Sequence, residues 1–155
     1  MRLQVHFWDQ HKAITRYYEF LMSYVCEKYQ LRQMEFDILM FLHNNPEFNT
    51  AADIVRARKS TKSHVSTSLQ TLEDRRLIER MVDDDNRRRV EIRLLPSANN
   101  IIEDGKKAQK QFRDDVLDGM SLEEMKACKE IFDRICANAE RAINKKANYI
   151  KINSN

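Results

Sequence analysis

Residues 61–94 read TKSHVSTSLQTLEDRRLIERMVDDDNRRRVEIRL, and this stretch decides the fold. At 100° per residue, Val65, Ser68, Leu69 and Leu72 share one face of a helix, and either Ser60 or Thr61 supplies a hydroxyl cap at its start. Beyond Arg76 the period changes from helical to extended. Leu77 to Val82 and Val90 to Leu94 read as two strands, with Asp83 to Arg89 between them as a hairpin tip. Immediately upstream, Thr50 with Asp53 three residues later forms a capping pair that opens a short helix through about Arg58. The polar joint Lys59 and Ser60 separates the two helices. The order is helix, tight turn, helix, β-wing.

Working outward, the apolar residues Val5, Trp8, Ile14, Tyr17, Leu21 and Val25 recur largely at three- and four-residue steps and predict one long amphipathic helix to Tyr29. A second helix begins near Arg32, carries Met34, Ile38, Phe41 and Leu42 inward, and stops at Asn44, Asn45 and Pro46. After the wing, Ile101, Gly105, Ala108, Phe112 and Val116 mark another helix. Ser121 and Glu124 form a capping box for the last one, whose stripe is Met125, Cys128, Phe132, Ile135 and Ala139. The tail from Lys151 to Asn155 is expected to fray.

The chain has 155 residues, the length of a single domain with a real core, 33% of them charged and with Gly and Pro present twice each. That composition predicts a mainly helical protein and argues against a multidomain enzyme. No apolar run is long enough to span a membrane and the N-terminus lacks a secretion-signal layout, so a cytoplasmic protein is expected. Residues 54–93 hold 11 Lys or Arg against 7 Asp or Glu, an excess of +4, while the remainder, with 16 against 17, stands at −1. The positive excess is central, and a polyanion such as a nucleic acid is the partner it suggests.

A helix lying in the major groove needs a buried apolar side and an outer side of small polar groups that hydrogen-bond base edges. Opposite the inward stripe stand Ser63, Thr67 and Gln70, with Ser66 on the flank, His64 beside them, and Thr61 and Lys62 at the helix start where a phosphate would sit. No acidic residue falls between Thr61 and Gln70. The expected major-groove set is therefore Thr61, Lys62, Ser63, His64, Ser66, Thr67 and Gln70. Arg87, Arg88 and Arg89 follow Asp83, Asp84, Asp85 and Asn86 at the wing tip. There a guanidinium can enter the narrow minor groove while the aspartates hold some of the arginines.

These residues together resemble the MarR family of winged-helix regulators. Ile54 and Val55 stand at the family's Leu-Ala position, and Ser63, His64, Val65 and Ser66 at its small-residue and valine run. Leu72, Glu73, Leu77, Glu79 and Arg80 match the Leu-Glu to Arg stretch. Asp83, Asn86, Arg87, Arg88, Val90, Ile92, Arg93 and Leu94 match the wing. The resemblance implies one domain over 1–155, mainly α, with a winged helix-turn-helix lobe over 31–95 and a two-stranded wing. It further implies that 1–30 and 96–147 form a helical dimerisation region. It also implies a homodimer on a pseudo-palindromic operator, acting as a repressor, with Arg87 in the minor groove and Arg88 held by the wing's acids. Departures from the pattern are Asn86 for Asp, Arg76 for the glycine before Leu77, Leu95 for Thr, and Arg58 for a core leucine, which leaves Arg58 free to face a phosphate.

Trp8, Tyr17, Tyr18 and Phe36 have two readings that the sequence leaves open: core packing, or a cleft for a small aromatic effector of the kind many family members bind. Cys26, Cys128 and Cys136 form no metal or disulfide spacing, and Cys26 has no activating cation beside it, so reduced thiols are expected. His6, His11 and His43 lie apart without partnered ligands. No metal, cofactor or catalytic motif is present in the sequence, and an enzyme is not expected. The alternative of a different class is a helical dimer used for protein interaction that has lost DNA binding.

Overall fold

The computed structural model describes residues 5–82 and 89–153, and side chains over 11–82 and 89–146. In chain order these residues form α1 (Val5–Tyr29), α2 (Gln33–Asn44), α3 (Ala51–Arg58), α4 (Lys62–Asp74), β1 (Ile78–Val82), β2 (Val90–Leu94), α5 (Asn99–Val116) and α6 (Leu122–Asn153). The architecture is mainly α with one two-stranded antiparallel sheet, a winged helix-turn-helix flanked by long helices, as the sequence predicts. The chain divides into two compact units, Met1–Asp114 and Asp115–Asn155.

The first unit is built on α2, whose two ends are set by local chemistry. Glu35 accepts the Arg32 backbone N–H at 2.9 Å and so closes the first turn, while Asn45 binds the Phe41 carbonyl through both backbone and side chain at the last. Buried Phe36, Ile38, Leu39 and Leu42 on α2 meet Ile54 of α3, Val65, Leu69 and Leu72 of α4, and Ile78 and Ile92 of the wing in one core. Met22 and Val25 bring α1 onto it, and Ile101 and Ile102 bring α5. Gly105 shows how closely α5 approaches α2: a Cβ there would stand 2.5 Å from Met40 Sδ and 3.0 Å from Phe36 Cε2.

Three helix ends close through a left-handed residue that is not glycine: Gln30 (φ 52°), Lys59 (φ 47°) and Arg76 (φ 55°). At the end of α4, Leu77 N–H binds Leu72 O at 2.9 Å and Arg76 N–H binds Glu73 O at 2.8 Å, the paired bonds of a Schellman closure, with Leu72 and Leu77 both buried. This is why β1 begins at Ile78 rather than at Leu77 as expected: the Leu77 amide belongs to the helix closure. The departure at Arg76 from the glycine pattern therefore changes the residue and keeps the turn.

A second tie joins the ends of α1 and α5. Asp104 accepts Lys28 Nζ at 2.6 Å, the Tyr29 hydroxyl at 2.8 Å and Lys107 Nζ at 3.3 Å, and these donors hold its carboxyl far below the usual range. Arg75 donates to the Gln30 and Tyr29 carbonyls at 2.9 and 2.7 Å, which satisfies the C-terminus of α1 from the end of α4.

The second unit is dominated by α6, a helix of 32 residues and hence about 48 Å long. Ser121 and Glu124 form the expected capping box, with N–H to oxygen distances of 2.8 and 3.3 Å. The helix runs to Asn153, past the point where fraying is expected. Leu122, Ile131, Phe132 and Ile143 are exposed along it.

Candidate nucleic-acid interface

Thr61 is the residue that caps α4, accepting the His64 backbone N–H at 3.2 Å, and Ser60 instead lies 3.4 Å from His64 Nδ1. Val65, Ser68, Leu69 and Leu72 are all buried, so the inward stripe is the one predicted. Thr61, Lys62, Ser63, His64, Ser66, Thr67 and Gln70 are all exposed, and no acidic residue stands in the first turn. The outer face thus combines hydroxyls, an ammonium and the first-turn backbone N–H groups that the Thr61 cap does not take, a set suited to phosphate and base-edge contact.

The wing pairs in register from Ile78 with Leu94 to Val82 with Val90. Its root is also bound to the segment before α3: Ile92 N–H donates to Asn49 O at 2.7 Å, and Thr50 bridges Glu91. Arg89, where the hairpin tip rejoins β2, is held 3.1 Å from Glu91 Oε1 and 3.3 Å from Asn49 Oδ1. Arg87 and Arg88 lie outside the described residues. Asn49 was not singled out by sequence reasoning, although Asn49 and Thr50 follow a turn and precede a cap, where an extended segment belongs.

Much of the central positive charge is engaged within the fold. Arg58 does not face outward: its guanidinium pairs with buried Asp37 on α2, which also accepts Gln33 Nε2 at 2.9 Å. The position that favours a core leucine is thus filled by a cation whose partner was supplied from α2, and the phosphate expectation for Arg58 is corrected. Arg80 bridges from β1 to Glu73 on α4 at 3.3 Å, and Arg93 approaches Glu79 at 3.8 Å. Lys62 is an exposed cation on α4 without an ion pair among the described residues. A groove of about 700 Å³ separates α3 and α4 from the wing, floored by Val55, Val65 and Ile92 and rimmed by Arg56, Lys62 and Arg80.

The aromatic residues expected around a cleft are distributed differently. Phe36 is fully buried beneath Gly105, so core packing accounts for it. Tyr17 and Tyr18 pack on Phe112, with ring centroids at 6.0 and 5.2 Å, and the Trp8 side chain lies outside the described residues. A separate groove of about 580 Å³ between α1 and α5 is lined by Phe20, Leu21, Tyr24, Val25, Lys28 and Ala108. Cys26 is buried, and that burial, followed by the charges of Asp37, Glu35 and Glu27, pushes its thiol up to about 11, the opposite of an activated thiolate. Among the described residues no group of three or more His, Cys, Asp or Glu is placed to hold a metal, and no helix is long and apolar enough to cross a membrane.

The family model described as the MarR family matches residues 29–89, the span from the end of α1 to the residue before β2. Among solved structures, transcriptional regulator PA3341 matches with a TM-score of 0.77 at 24% identity, over 87% of this chain and 98% of that one. S. aureus MepR in its DNA-binding conformation matches with a TM-score of 0.78 at 22% identity, over 86% and 98% of the two chains. Bordetella bronchiseptica BpsR, whose DNA binding is regulated by 6-hydroxynicotinic acid, matches with a TM-score of 0.66 at 18% identity, over 86% and 94%. No curated protein sequence matches the chain. At these identities the structural likenesses establish the shared fold, and the family model matches the segment from the end of α1 to the residue before β2. Residues 29–89 of this chain match the MarR family model, and the chain shares its fold with the winged-helix structures it resembles.

Proposed function

We propose that this protein is a sequence-specific DNA-binding transcription regulator that acts as a homodimer on a pseudo-palindromic operator. The observation that carries the reading is the division of α4, with the apolar stripe buried and the seven expected groove residues exposed beside a β-wing. In a two-fold dimer the two α4 helices would address half-sites about one helical turn apart. The exposed apolar residues of α1 and α6, among them Phe20, Tyr24, Ile131 and Phe132, support pairing of 1–30 and 96–147 with a second copy, leaving 31–95 as the DNA-binding lobe.

Repression of a nearby promoter is the regulatory sense we propose. Release by a small aromatic effector is supported by the regulation of BpsR by 6-hydroxynicotinic acid and by the groove lined by Phe20, Tyr24 and Lys28. Fluorescence anisotropy with DNA from the protein's own upstream region tests the central reading. The affinity should fall steeply with salt, by about 0.9 in log K per log salt for each phosphate neutralised. Arg87→Ala should weaken binding to all sequences and reduce that slope by about one. Absence of any salt-dependent binding favours an interaction module of the same fold.

A further inference from the structure

The seven exposed residues of α4 do not offer the same chemistry. The hydroxyls of Ser63 and Ser66 and the ammonium of Lys62 have no hydrogen-bond partner among the described residues and are open to acceptors and donors on DNA. Thr67 differs: its Oγ1 donates to the Ser63 carbonyl at 3.0 Å, four residues back on its own helix. Gln70 is engaged at both ends, its Nε2 donating to Asp74 Oδ1 at 2.9 Å and its Oε1 accepting from Arg80 at 3.4 Å.

A threonine carries two heavy groups on Cβ. With the hydroxyl of Thr67 turned onto backbone, the γ-methyl is the outward group of an exposed side chain, at the middle of the helix face expected to meet the groove. The major groove presents one apolar group, the 5-methyl of thymine, and a threonine methyl is a suitable contact for it. We infer that Thr67 is an apolar specificity reader whose γ-methyl contacts a thymine 5-methyl, while Ser63 and Ser66 supply the polar contacts around it. The inference rests on the operator-binding reading and assigns one base identity within each half-site.

The test uses the full-length chain and an operator obtained by selection from random duplex DNA, in which each thymine is replaced in turn by uracil, a change that removes only the methyl. For the wild type, one thymine per half-site should be sensitive, with affinity falling about fourfold for each half-site replaced. Thr67→Ser, which keeps the hydroxyl and deletes the methyl, should bind the thymine and uracil duplexes alike. Thr67→Val, which keeps a methyl and deletes the hydroxyl, should still distinguish them. Thr67 is exposed, and thermal melting verifies that each variant is folded. The assignment is overturned if the wild type ignores every replacement, if Thr67→Ser retains the discrimination, or if Thr67→Val loses it. Failure to select any bound sequence overturns the regulator reading itself and this assignment with it.

Discussion

The helices α4 and α6 carry apolar stripes of the same helical period and reach opposite fates. In α4, Val65, Leu69 and Leu72 are buried against α2, α3 and the wing. In α6, Phe132, Ile131 and Ile143 remain 61%, 56% and 66% exposed, and Met125 and Ile135 are only half-buried. Periodicity reports that a face must be covered; it is silent on which chain does the covering. A helix of 32 residues with so much apolar surface in water is unusual for a monomer, and that is the physical ground for the proposal that a second copy covers it.

The contrast can be broken most directly by deleting one side chain from each stripe. Leu72→Ala should lower unfolding free energy by about 3 kcal/mol, because a fully buried leucine leaves a cavity, and the loss should not depend on protein concentration. Phe132→Asp should act through association. Denaturation midpoints of the wild type should rise with protein concentration and those of the variant should not, with dimer dissociation shifted by about thirtyfold or more in sedimentation. A wild-type midpoint that ignores concentration would remove the distinction between the two helices.

A smaller effect sharpens the account of how α4 ends. Arg76 holds φ at 55°, a conformation that costs a residue with a Cβ about 1 kcal/mol, so Arg76→Gly should stabilise the fold by roughly that amount in urea titration. An unchanged or lowered midpoint would mean that the arginine side chain contributes more than the turn costs.

The smallest expected change lies at the α1 and α5 tie. Asp104 is held below its ordinary value, chiefly by the hydrogen bond from Lys28 and then those from Tyr29 and Lys107, so the unfolded chain takes up a proton there before the folded one does. Its contribution is complete above about pH 4 and is lost as the pH falls further. Melting temperatures between pH 6 and 2 should therefore decline less steeply for Asp104→Asn than for the wild type. Coincident acid limbs would show that the tie is not formed in solution.

What the sequence made legible was governed by neighbours within a few residues. The Thr50 and Asp53 cap, the Ser121 and Glu124 box, the four-residue inward stripe of α4 and both wing strands follow from contacts at separations of three, four or two. The features that the sequence misread or left open depended on partners far along the chain. Arg58 finds Asp37 twenty-one residues away, and Phe36 is covered by an approach of α5 that only the absence of a side chain at Gly105 permits. The central charge excess was read correctly as a number, yet several of its members are held by carboxylates of the fold, which no count along a sequence can distinguish.

The bond from the Ile92 amide to the Asn49 carbonyl couples two parts that, in the proposed function, touch DNA at different places. It gears the base of the arginine finger to the doorstep of the first helix of the helix-turn-helix, with Arg89 as a second tooth in the same gear. In the proposed regulator, a rotation of that helix would thus reach the finger as well as the groove-facing rod, and grip and reading would change together.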